Sequence, residues 1–384
     1  MMNKTPNDWN PRDTSVLENQ LNAYDQMRQQ CPVAHSEYLH WSVFRHEDVV
    51  RVLEDHQTFS SAVSAHVSVP NSMDPPEHTA YRKIIEPYFS EDAMAAFEPH
   101  CRALANKLVS DLAREKPIEL IAQFAQQFAL QVQCAFLGWP ADTHEPLRRW
   151  MHSNHTATLS GDRSAMAAVA QEFTAMIQAL LHARRTTTDT APEDIITSLL
   201  RSEVNGRALH EEEIVSILRN WTGGEVGTIA AAVGIIVQFL TQYPTLQQEL
   251  RADLKKLPEA IDEILRLHGP LVTNRRITTC PVEIGGRQLE AGERLSLFWV
   301  SANRDEQVFE DAHSFRWGRD PQKNLLYGTG VHVCPGAPLA RMELRILMEE
   351  LLKNTNDLAM LPEAPKPYAQ YPASGFSELH LMIR

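Results

Sequence analysis

Tyr327-Gly328-Thr329-Gly330-Val331-His332-Val333-Cys334-Pro335-Gly336-Ala337-Pro338-Leu339-Ala340-Arg341 decides the reading of this chain. A single cysteine stands among glycines, and a helical pattern begins at once. Ala340, Leu344, Leu347 and Leu351 recur at helical spacing with charges between them. Cys334 therefore lies in a glycine-rich loop that feeds a helix N-terminus. The unpaired N–H groups and the dipole there favour an anionic sulfur. Gly328, Gly330 and Gly336 let the backbone pass close to something flat and bulky. Pro335 and Pro338 stiffen the run, and His332 offers a donor two residues before the sulfur.

A metal-bound thiolate meets these needs, and haem iron with one axial cysteine is the best candidate. A lone cysteine is more often a buried structural thiol, but here the positions around it are also fixed. A dinucleotide loop does not fit, because no third glycine follows at the required spacing. The stretch resembles the cysteine-ligand loop of the cytochrome P450 family, Phe-x-x-Gly-x-His-x-Cys-x-Gly followed by Ala-x-x-Leu-Ala-Arg, with Tyr327 in place of the phenylalanine. The resemblance implies haem b, with Cys334 as the metal ligand and Gly328 and Gly336 against the cofactor. It implies a mostly α fold with small β-sheets, the α+β fold of that family. The haem would then lie between a long central helix and the cysteine-loop helix.

The bulk numbers agree. The chain has 384 residues, 43% of them hydrophobic, and a formal net charge of −13, which argues against a nucleic-acid partner. Cys31, Cys101, Cys134, Cys280 and Cys334 form no CxxC pair, which points to a reducing compartment. The N-terminus is polar, and the longest apolar helical run, 229–240, is too short for a membrane span. The expectation is a soluble cytoplasmic protein with no membrane contact. It is a single domain, 1–384, with a loose polar arm over 1–15.

Periodicity predicts helices over 46–54, 94–114, 118–136, 143–155, 164–185, 211–240 and 259–267, and strands near 41–44, 276–279, 282–284 and 295–298, with a hairpin turn at Gly285-Gly286. The tail, 371–384, reads as a closing hairpin with Gly375-Phe376-Ser377 at its tip. His78 and Arg82 lie one turn apart on a helix that follows Pro75-Pro76. By resemblance they grip a haem propionate together with Arg276 and His332. The middle of the long helix reads Asn220-Trp221-Thr222-Gly223-Gly224-Glu225-Val226-Gly227-Thr228. Three glycines inside a helix cost roughly 1 kcal/mol each against alanine, so they imply a distorted turn or a ligand in close approach. The family carries its oxygen-activating acid and alcohol here. In this chain Glu225 and Thr228, with Gly224, stand for them in a shifted register. Glu263 and Arg266 resemble the family's structural Glu-x-x-Arg pair, with Arg319 as the later arginine that locks to it.

The resemblance implies a monooxygenase that uses O2 and NAD(P)H through a separate ferredoxin or flavin/Fe–S reductase. Arg341 is the candidate contact for an acidic donor. The central helix is most similar to those of aryl-ether O-demethylases, and the lining segments read as apolar. The expected substrate is a small aromatic compound, a neutral substituted phenol rather than a benzoate, held by Val63, Trp221, Leu271, Val272 and Phe376. The alternatives are a fatty-acid or terpene monooxygenase, an H2O2-driven peroxygenase, or a non-catalytic haem sensor or carrier.

Overall fold

The computed structural model describes residues 8–64, 68–186 and 193–384. Its axis is the helix Glu211–Gln242. Three glutamates open it, and His210 and Glu213 cap each other's backbone groups, so both the dipole and the orphan N–H groups are met. Beyond the cap, Ile214, Ile217, Leu218, Ile229, Val233, Ile236 and Leu240 are all buried. A helix apolar on so many sides has to be surrounded.

Three helices enclose its middle. Glu91–Asp111 packs along Ala337–Lys353, and Gln126–Leu137 packs along the central helix. Arg102 pairs with Glu98, Glu349 and Glu350, and Arg345 pairs with Glu98, which ties the first two together from outside. The helix expected over 118–136 begins differently. Pro117–Glu119 is a strand, because it pairs with the tail strand His380–Ile383, and the helix follows after a π turn at Ile121–Ala125.

The main sheet has five strands in the order Val33–Ser36, His40–Val43, Arg294–Phe298, Thr273–Thr278, Phe59–Ser60. Leu295 sits opposite both Trp41 and Arg276, which fixes the position of Arg276 on its strand. Val33, Trp41, Val43, Leu295 and Leu297 face the α-helix His46–Glu54 and form a second core. Gly285 and Gly286, at φ 53° and 77°, make the predicted turn, in the left-handed region that glycine enters without strain.

Two expectations about the ends are corrected. The segment from Asp8 is not loose. Trp9 is buried edge-on against Phe44 and Phe298, and Asp8 pairs with Arg287. The tail does not fold back on itself over 371–384. Its strand His380–Ile383 lies between Leu358–Met360 and Pro117–Glu119, and Phe376 bridges instead to Tyr368. The sequence showed no apolar run of membrane length. By length and composition, however, the helices Arg163–Thr186 and Glu211–Gln242 could each cross one, the second being the core axis just described.

Candidate active site

The cysteine loop is held from three directions. Glu263, 5% exposed, accepts from Arg266 Nε at 2.7 Å, Arg319 Nε at 2.7 Å and the Arg316 amide at 3.1 Å. Arg266 donates on to the Asn303 and Ala312 carbonyls, and Asn303 Oδ1 accepts from the Leu325 amide. The expected Glu263, Arg266 and Arg319 set is therefore assembled, and it ends two residues before Tyr327. From the second side, a Cβ on Gly330 would meet the Leu53 carbonyl oxygen at 2.6 Å. The loop sits on the end of the His46–Glu54 helix, and the left-handed φ of 72° at Gly330 makes the approach possible. Gly328, at φ 76°, packs on Trp299 in the same way. Gly336 has an ordinary φ of −81° and only ordinary contacts, 3.9 Å from its built Cβ to Cys334 Sγ. From the third side, Arg82 Nη1 donates to the Val333 carbonyl at 2.8 Å.

The Cys334 thiol is accessible yet deep, so it opens into a recess. Burial pushes its pKa up. The amides of Gly336 and Ala337, at the start of the cysteine helix, and the Arg82 guanidinium act in the opposite direction. Cys101 and Cys134 are buried with their thiols pushed up by desolvation, and no cation compensates Cys134. Of these three thiols Cys334 is the exposed one, and backbone amides and a guanidinium oppose the effect of burial on it.

His78, Arg82, Arg276 and His332 converge beside it. The His78 and His332 rings lie 4.2 Å apart. Burial first, then neighbouring cations, hold both imidazoles neutral, at about 4 and about 3. Among the described residues, Arg276 is 3% exposed and its Nη2 meets no acceptor, and His78 Nε2 is likewise buried without a partner. A buried guanidinium with a bare N–H and a buried imidazole with a bare nitrogen, both near the His332 ring, are costly unless an anion completes them. His332 Nε2 is already bound to Ser61 Oγ at 2.9 Å, and Arg82 also holds Glu86. The donor set fits the carboxylates of a haem, and the accessible sulfur fits its metal.

The opposite wall is the central helix. Gly223, Gly224 and Gly227 are exposed, and a Cβ on any of them would meet nothing within 4 Å. Thr228 Oγ1 donates to the Gly224 carbonyl at 2.7 Å, at the edge of this open face. Glu225, expected to face the same way, turns instead toward Glu343 on the cysteine helix and Gln133 on the helix Gln126–Leu137. Neither partner stood out in the sequence, because each sits at a position that reads as core.

The expected substrate wall is partly corrected. Trp221 packs edge-on against Tyr88 and Phe89, at 5.5 and 5.2 Å, on the bundle side of the helix. Val272 is 1% exposed in the Trp9–Phe44–Phe298 cluster, whereas Leu271, 43% exposed, points the other way, since side chains alternate in extended chain. Phe376 is 7% exposed, stacked on Tyr368 and edge-on to His268. The tip at Gly375 reaches the central helix at Ala231 and Ile235. Val63 is half-buried on its loop. That loop is stitched to the central helix: Ser68 donates to Asn220, Asn220 to the Val69 carbonyl, and the Val69 amide to Ser216. Arg219 lines a cleft of about 870 Å³ with Val69, Met73 and Ser216, which takes in none of the five expected wall residues. Arg341 is engaged, paired with Asp262 and lying over the Tyr327 ring at 4.5 Å.

Comparison with known proteins agrees with this geometry. Residues 141–369 match the family model described as Cytochrome P450. The chain is 32% identical over 344 residues, 85% of this chain and 86% of the other, to cyclomarin C epoxidase CymV of Salinispora arenicola. It is 31% identical to the erythromycin C-12 hydroxylase of Saccharopolyspora erythraea, covering 85% and 84%. The crystal structure of CYP109E1 from Bacillus megaterium in complex with testosterone superposes with a TM-score of 0.83 at 27% identity, covering 95% of this chain and 99% of that one. A cysteine loop locked by Glu263, unpartnered buried donors on His78 and Arg276 and a glycine-opened helix, in a chain so similar to these relatives, leave one assignment: it belongs to the cytochrome P450 family and is a haem b-dependent monooxygenase.

Proposed function

We propose that this monooxygenase oxidises a rigid, largely apolar molecule larger than a single aromatic ring, using O2 and electrons from a separate redox partner. The observation that carries the reading is the open glycine face. Gly223, Gly224 and Gly227 leave one face of the helix bare over about a turn where the substrate would lie. That two similar proteins are a cyclomarin C epoxidase and an erythromycin C-12 hydroxylase supports it.

In this reading Cys334 would hold the haem iron, with the Gly336 and Ala337 amides favouring its anionic sulfur. His78 Nε2 and Arg276 Nη2 take the cofactor's carboxylates by charge-assisted hydrogen bonds. When bound, the haem supplies O2 activation for transfer of one oxygen atom. Thr228 holds a hydroxyl at the edge of the glycine face, where it can pass a proton. Leu271 and the Phe376 tip close the apolar wall.

Titrating the ferric enzyme with steroids and macrolides beside substituted phenols tests this. Saturable low-spin to high-spin shifts with the larger molecules, and none with phenols, are expected; the reverse pattern overturns it. The phenol reading survives as the second because Phe376, Tyr368 and His268 form one aromatic wall that would suit a flat ring.

A further inference from the structure

We propose that His268 selects the substrate: its imidazole hydrogen-bonds a hydroxyl or ketone oxygen at one end of the molecule that lies along the glycine face. This rests on the larger-substrate reading given above and names the polar group such a substrate carries.

The central helix sets the direction. Gly223, Gly227, Ala231 and Ile235 are spaced four residues apart, so they form one ridge inclined to the helix axis. The ridge is bare at the two glycines. It is covered at its other end, where a Cβ on Gly375 would meet the Ala231 carbonyl at 3.4 Å and Ile235 at 3.3 Å. The rise from Gly223 to Ala231 is about 12 Å. A rigid molecule laid along the bare part therefore ends against the tail tip.

The tip and His268 are fixed to the same corner. Ser374 Oγ donates to the Gly269 carbonyl at 2.6 Å, and Ala373 bridges to Leu271. His268 ends the helix Leu257–Leu267, its amide donating to the Ile264 carbonyl. Its ring stands edge-on to Phe376 at 5.7 Å and tilted to Tyr368 at 6.0 Å, and those two rings stack on each other. Like the Cys334 thiol, the imidazole is deep but not closed off, for the residue is only half-buried. Among the described residues neither ring nitrogen has a hydrogen-bond partner, and neither is sealed as the indole nitrogens of Trp41 and Trp299 are. A polar atom left reachable and unbonded inside an apolar corner is suited to orient a ligand.

The chemistry of the corner narrows the ligand. Burial first, then Arg304, holds the imidazole neutral, at about 4. It therefore offers one N–H donor and one bare acceptor. Arg304 itself is spent on Asp25 and the Leu267 carbonyl. A carboxylate placed here would give up water for a single neutral donor, which is costly. A hydroxyl can donate or accept, and a ketone can accept. Phe376 and Tyr368 flank the position with apolar rings, so the oxygen belongs on a ring system rather than on a polar chain. Anchoring it fixes which carbon lies beside Thr228, so His268 also sets the position oxidised.

Spin-state titration of the ferric holoenzyme tests this with three steroids of one skeleton, carrying on the first ring a ketone, a hydroxyl or neither. The oxygenated pair should bind about 3- to 10-fold more tightly than the hydrocarbon, the worth of one neutral hydrogen bond. His268→Phe keeps an aromatic ring. It should abolish that preference and scatter the position of oxidation, while the hydrocarbon binds as before. His268→Gln, which has a donor and an acceptor, should restore part of the preference. Nitrogen NMR of the histidine-labelled ferrous–CO protein adds a readout that packing alone would not move: the His268 ring signals should shift with the oxygenated steroids and not with the hydrocarbon. Equal weakening of all three ligands in both variants, or ring signals that do not distinguish them, overturns the anchor. If phenols bind and neither steroids nor macrolides do, the larger-substrate reading falls, and ethylphenol against ethylbenzene decides the anchor separately. A preference for the phenol that survives His268→Phe overturns it, and one that vanishes upholds it.

Discussion

Replacing Glu263 by alanine should damage the protein more than any single change on its surface. The carboxylate is 5% exposed and accepts four hydrogen bonds, two from Arg266, one from Arg319 and one from the Arg316 amide. Its removal strands Arg266, which is 1% exposed, with its charge uncompensated. Breaking a buried pair from one side costs about 3–5 kcal/mol. Arg266 keeps its bonds to the Asn303 and Ala312 carbonyls, which favours the lower end. For a chain of 384 residues, an unfolding entropy of about 2 cal/mol/K per residue converts this to a fall of roughly 4–6 °C in the thermal midpoint. Because Asn303 also holds the Leu325 amide, the loss should reach the cysteine loop, and haem content per chain should fall with it. Thermal melts and Soret absorbance on Glu263→Ala and Glu263→Gln measure both, with the glutamine variant intermediate because it keeps an acceptor. A shift under about 1 °C with full haem content would refute the argument.

The other expectations concern single sites. Reduced protein with CO should show the red-shifted thiolate Soret band, which Cys334→Ala loses and Cys101→Ala keeps; loss of the band in both would remove Cys334 from its place. Trp221→Ala should cost about 2–3 kcal/mol in chemical denaturation while leaving substrate affinity within about twofold, because the ring packs on Tyr88 and Phe89; a large affinity loss would return it to the substrate wall. Unfolding should release a proton at mildly acidic pH. Glu225 is held protonated in the fold above the 4.5 of a free glutamate, up to about 7, so its own contribution to stability is full below 4.5 and declines as pH rises through that window. Glu225→Gln should flatten that slope, and an unchanged slope would mean the carboxyl is already ionised.

The cysteine loop, the Glu263 lock and the long helix were legible because each writes its constraint locally. Glycine marks a left-handed turn at Gly328 and Gly330, and the Glu263–Arg266 spacing lies within one helical turn. Partners supplied by distant elements were not legible. Glu343 stands nine positions past Cys334 among apolar residues, and only folding shows that it meets Glu225. Trp221 and Val272 failed for a related reason. A segment can line a pocket while alternate residues face away from it, and facing is set by the elements packed behind: Tyr88 and Phe89 in one case, Trp9 and Phe298 in the other. The tail was misread because strand pairing is chosen by edges far away in sequence, at Pro117–Glu119 and Leu358–Met360.

The glycines of the central helix have a meaning for evolution and engineering. None of the three needs a left-handed φ, and none is pressed by a neighbour. Each could therefore become alanine without a clash, and the helix would gain roughly 0.8–1 kcal/mol at each position. A chain that leaves such stability unclaimed at three adjacent sites is holding volume in reserve. The same three positions form a graded dial. Methyl groups added one at a time would make the enzyme sturdier and its preference narrower, and the order in which bulky substrates drop out would map the pocket from within.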